Sequence, residues 1–100
     1  MLILATKLKN QFPSAYTTDL KNIIINGDKR GCSGFITANR KTVYVTTEPF
    51  ASLGFMYRTA EFVGDYEGGV NRFARDIESL VAGINALLKE QALWTALSVR

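Results

Sequence analysis

The sequence has no histidine at all among its 100 residues. That removes the commonest general base, the commonest metal ligand and the usual physiological pH switch together. There is one cysteine, Cys32, so no disulfide can form within the chain and folding does not depend on an oxidising compartment. No apolar run approaches the length needed to cross a bilayer. Met1 to Ala5 is apolar but too short for the hydrophobic region of a secretory signal, and no basic segment precedes it. The expected setting is therefore the cytoplasm. No phosphate-binding glycine pattern, paired catalytic carboxylates or metal-ligand spacing occurs, and the expectation is a non-enzymatic chain with no cofactor, no metal, no membrane contact and no small-molecule substrate.

What is present is ordinary globular composition, with 47% hydrophobic and 21% charged residues and a net charge of +3. This length suits one domain that buries its own core. Charge is unevenly placed. Residues 1–60 carry eight Lys/Arg against three acids, a balance of +5, and residues 61–100 carry four against six, a balance of −2.

The patterning predicts an α+β fold: an antiparallel β-meander of four to five strands under one long C-terminal amphipathic helix, with room for a short helix in the N-terminal half. Residues 1–60 read as β-rich, 61–69 as a loop and 70–98 as the helix. Met1 to Lys9 reads as the first strand. Leu20 to Gly27 supports two readings. Thr18 could cap a helix that stops at Gly27, while Ile23-Ile24-Ile25 before Asn26-Gly27 spells a strand entering a hairpin. The strand is preferred, because three consecutive β-branched residues lose side-chain freedom in a helix. Phe35 to Ala38, the turn Asn39-Arg40-Lys41, and Thr42 to Thr47 form a second hairpin, ended at Pro49. Phe55 to Thr59 adds a strand. The short connections require antiparallel pairing. From Val70 the period changes to that of a helix, with Val70, Phe73, Ile77, Leu80, Val81, Ile84, Leu87 and Leu88 on one stripe.

Two surfaces are candidates for function. On the helix, Ser79, Ala82, Gly83 and Ala86 fall opposite the core stripe, and Leu93 and Leu97 continue that side. Small residues there let another backbone approach, and the two leucines lack a core of their own, so the face suits a protein partner or a second copy in a homodimer. A compact, motif-free chain of this kind fits an accessory protein of a phage or mobile element that inhibits a host protein or defence complex, acting in the host cytoplasm. The alternative is a nucleic-acid-binding module on the basic half, using Lys29, Arg30, Arg40 and Lys41 at strand ends with Tyr44, and Phe35 and Tyr57 beside it, as stacking surfaces.

Gly31-Cys32-Ser33-Gly34 is the one stretch that resembles a nucleophile turn, but a thiol without a base is more simply a small buried side chain. The glycines then mark a β-bulge. Glu61, Asp65 and Glu67 are too irregularly spaced for a calcium loop, and Gly68-Gly69 needs no explanation beyond a helix entry that requires positive φ.

Overall fold

In the computed structural model the described residues are 3–47, 54–67 and 69–98, with side chains up to Lys89. A short helix α1 (Ala5–Lys9) leads into five strands, β1 (Thr17–Ile25), β2 (Asp28–Ala38), β3 (Lys41–Thr47), β4 (Phe55–Ala60) and β5 (Arg72–Ala74), and a long helix α2 (Ile77–Ser98) follows. The strands form one antiparallel sheet in sequence order, β1-β2-β3-β4-β5. This is the expected α+β meander under a C-terminal helix.

Both hairpin turns follow from sequence. Asn26 and Gly27 have φ of 53° and 83°, and Asn39 and Arg40 have φ of 52° and 65°. Two consecutive positive-φ residues make the tight turn whose twist matches paired strands. The first turn uses the residues best suited to it. The second places Arg40 where glycine fits best, at a cost of about 1 kcal/mol. The segment of uncertain type, residues 20–27, is strand and turn.

One face of the sheet holds the core. Ile36, Val43, Val45 and Cys32 pack there against Leu80, Ile84, Leu87 and Leu88 of α2 and Leu8 of α1. Each such side chain removed from water contributes about 1.5–3 kcal/mol. Gly83 lies on this inner side too, since a Cβ there would meet the Tyr57 ring 2.5 Å away.

Two expectations are corrected. Residues 5–9 are helix, not strand. Leu4, Leu8 and Phe12 recur every four residues, and Leu8 and Phe12 are buried, a helical spacing that the apolar run at the N-terminus obscures. The segment is tied down by the Ala5 N–H donating to Asn22 Oδ1 at 2.8 Å and the Tyr16 hydroxyl donating to Asn85 Oδ1 at 3.2 Å. The second correction concerns the start of the long helix, which is Ile77 and not residue 70. Asp76 caps it, its Oδ1 accepting the Ser79 N–H at 2.7 Å. That bond holds the Asp76 carboxyl below its ordinary pKa. Residues 72–74 instead pair with β4, and Val70 and Phe73, placed by periodicity on the core stripe, are exposed. The strand end expected at Pro49 falls outside the described residues.

Candidate functional site

Both helices lie on the inner face, so the outer face of the sheet is built from strand residues and one loop. Three rows cross it. Asp19, Phe35, Tyr44 and Arg58 face one another across β1 to β4, and Lys21, Ser33, Thr46, Met56 and Phe73 across all five strands. Thr17, Thr37, Thr42 and Ala60 make the third. The Thr37 and Thr42 hydroxyls bond to each other at 3.1 Å.

The loop between β4 and β5 folds back over this face. Tyr66 sits on Phe35 and Tyr44 with ring centroids 5.4 and 5.6 Å away, and the Phe35 and Tyr44 rings are 5.2 Å apart. Arg58 lies beneath them, its guanidinium carbon 4.4 Å from the Tyr44 ring centre, and it donates a hydrogen bond to the Tyr66 carbonyl. A desolvated guanidinium over an aromatic face contributes about 1–2 kcal/mol. The Asp65 carboxylate fixes the loop further, accepting the N–H of Glu61 at 3.0 Å and that of Glu67 at 3.1 Å.

The clamped loop and the start of β5 after it turn apolar side chains outward. Phe62, Val63, Tyr66, Val70 and Phe73 are 59%, 49%, 65%, 74% and 58% exposed. Five large apolar groups exposed within a dozen residues is uncommon in a lone soluble domain, where exposed hydrophobics are scattered. The sequence offers a signal for them. Asp76 followed by Ser79 is a cap that argues for a helix start at Ile77, which leaves Val70 and Phe73 without a core to enter.

The predicted site residues fall in different places. Ser79, Ala82 and Ala86 are exposed on α2, whereas Gly83 lies against Tyr57 of the same chain; the open stripe of small residues is narrower than expected. The side chains of Leu93 and Leu97 lie outside the described residues. Lys29 and Arg30 stand at the start of β2, where Arg30 is 3.8 Å from Asp28, and Arg40 and Lys41 at the far end of that strand. The two basic pairs thus mark opposite ends of the β2–β3 hairpin and form no common patch. Tyr44 is half-buried with Arg58 on its ring, and Tyr57 faces the core.

Cys32 is fully buried, and burial pushes its thiol up to about 11. The thiolate is the reactive form, so the native thiol is expected to resist an aromatic disulfide reagent at pH 8 and to react on unfolding. The unfolded thiol ionises first, from its ordinary value of 9.0. The contribution of Cys32 to stability is therefore complete below pH 9 and declines as pH rises toward 11, with about 1 kcal/mol lost by pH 10. Urea unfolding at pH 8 and pH 10, compared with Cys32→Ala, measures that slope. A native thiol modified as fast as an unfolded one would refute the burial argument.

A depression of about 380 Å³ opens between the end of α1 and the start of β1, bordered by Lys9, Phe12, Tyr16 and Thr18. It gathers no acid–base or nucleophilic set. Among the described residues no helix is long and apolar enough to cross a membrane, and no group of three or more metal-ligating side chains comes together. No protein-family model, curated protein or solved structure matches the chain.

Proposed function

We propose that this protein is a small, non-enzymatic binding module that captures a protein partner through the apolar surface of its β4–β5 region. The observation that carries the reading is the exposure of Phe62, Val63, Tyr66, Val70 and Phe73 beside a loop whose residues 61–67 are anchored by hydrogen bonds. All five face solvent; the stretch that bears the first three is held by Asp65 and by Arg58, and Phe73 stands on β5, paired with β4. A loop fixed before binding loses little conformational freedom on docking, so its buried area converts more fully into affinity. Aromatic side chains dominate such contacts. The partner is accordingly a protein with an apolar patch or groove able to take Tyr66 and Phe73. Its capture would act by steric occlusion, which is how a small inhibitor without catalytic groups works.

The basic residues support nucleic-acid binding less well, because they are divided between two ends of a hairpin and the Tyr44 ring is already covered by Arg58. One comparison separates the two readings. Tagged wild type, Phe62→Asp/Phe73→Asp and Arg40→Glu/Lys41→Glu are used to recover partners from cells of the source, and the recovered partner is titrated against each. The apolar pair is expected to weaken binding about 100-fold and the basic pair to leave it nearly unchanged. Salt-sensitive binding to a single-stranded oligonucleotide, lost in the basic variant and retained in the apolar one, would overturn the proposal.

A further inference from the structure

The opposite border of the sheet carries a separate message. β1 is an edge strand of nine residues. Among the described residues its backbone hydrogen bonds go to β2 alone. Long edges are templates for another strand, and natural sheets blunt them with bulges, prolines or charges. Here the register shift lies between Asn22 and Ile24, which leaves Thr17 to Asn22 regular and free of proline. The charges on that regular stretch are Asp19 and Lys21. Both are exposed on the outer face, two residues apart, and neither side chain has a hydrogen bond or ion pair within the described residues.

We propose that β1 pairs antiparallel with β1 of a second copy of this chain, across a two-fold axis at Leu20, to give one continuous ten-stranded sheet. The pattern of charge selects the register. Centred on Leu20, Asp19 of each copy stands directly opposite Lys21 of the other, twice over. Centred on Asp19, like acids would meet, and centred on Lys21, like bases would meet, both unfavourable for directly opposed residues. A slip by a single residue would join the outer face of one copy to the inner face of the other. Leu20 is half-buried on the inner face beside the core, and in this register it meets its own copy. The bulge beyond Asn22 then ends the pairing. Because the axis runs normal to the sheet, the dimer presents its two β4–β5 surfaces on the same side, at opposite borders.

The test uses the full chain and sedimentation equilibrium at up to about 1 mM protein, since an edge contact buries less than a standard interface. Wild type is expected to self-associate. Asp19→Lys and Lys21→Asp, each made alone, oppose like charges twice and should weaken the dimer about tenfold or more. Mixing the two single variants should restore association as a heterodimer, and the exchange Asp19→Lys/Lys21→Asp should restore the homodimer. Phe62→Asp/Phe73→Asp should leave self-association unchanged. Circular dichroism checks that each variant folds. A wild type that stays monomeric, single variants that associate as wild type does, no recovery on mixing, or loss of the dimer in the apolar variant would each overturn the proposal.

Discussion

Replacing Gly34 with alanine is expected to cost about 4 kcal/mol, a large share of the stability of a domain this size. A Cβ at residue 34 would lie 1.9 Å from the Asp19 carbonyl oxygen and 2.8 Å from the Leu20 Cα. Both obstacles are backbone, so no rotamer change relieves the contact. Gly34 also has φ of 154°, outside the region that side chains ordinarily occupy. The cause is the closeness with which β1 crosses β2 where Leu20 and Gly34 are paired. Gly27→Ala is the matched control. It also has positive φ, at 83°, but nothing lies within 4 Å of its Cβ position, so only the conformational cost of about 1–2 kcal/mol applies. Urea unfolding of the two variants beside wild type measures the difference. Equal losses at the two sites would mean that β1 yields easily at this point. The lost stability would then belong to backbone preference alone. The same experiment bears on the dimer, because Gly34→Ala pushes on Asp19 and Leu20, which hold the proposed register.

The elements legible in sequence are those whose signals are local. Asn26-Gly27 marks its turn by tolerance of positive φ, Asn39 does the same for the second turn while Arg40 only follows it, and Thr42 to Thr47 alternates as a strand does. The stripe from Ile77 to Leu88 repeats at the helical period, and every member falls on the core side. Misreadings arise where two periods coincide. Val70, Phe73 and Ile77 are spaced by three and four, as in a helix, but Phe73 is opposite Met56 in a sheet and Val70 faces solvent. The cap at Asp76 outweighs that spacing, because a helix start needs its free N–H groups satisfied while an apolar spacing needs only chance. At the N-terminus the apolar run of residues 2–4 imitates a strand, and the fold decides otherwise by burying Leu8 in the core that also holds Leu80 and Ile84, with α1 packed on β1 and β2.

The candidate surface was the least legible part, and the reason is physical. Exposure is a property of what covers a residue, not of its type. Phe35 and Phe73 are both outer-face residues of the same sheet, yet Phe35 is buried under Tyr66 while Phe73 is open. Nothing local distinguishes them. The distinction comes from a loop closed by Asp65 and Arg58, neither of which carries a motif that announces the role. Charged residues with a structural task are hidden from composition because burial of Arg58 depends on contacts that only the register creates.

Thr47→Val is expected to cost about 2–4 kcal/mol, although the two side chains have nearly the same shape. The last paired residues of β2 and β3 at this end are Ser33 and Thr46. One step beyond, Cys32 is buried and the Thr47 hydroxyl takes over the role of the ladder, accepting the Cys32 N–H at 2.8 Å and donating to the Cys32 carbonyl at 3.2 Å. Valine would fill the space and leave both backbone groups buried without a partner. Thr47→Ser keeps the hydroxyl and loses a methyl, so it should cost only about 1 kcal/mol. Gly31 provides the room for this arrangement, as a Cβ there would lie 1.8 Å from Thr47 Oγ1. Gly31→Ala therefore displaces the same hydroxyl, and its loss should add to that of Thr47→Val by much less than the sum. Equilibrium unfolding of the two single variants and the double variant closes that cycle. Full additivity would show that Gly31 and Thr47 act independently. The outcome would then assign the positive φ of Gly31 to strand coiling instead of to the hydroxyl that completes the sheet around Cys32.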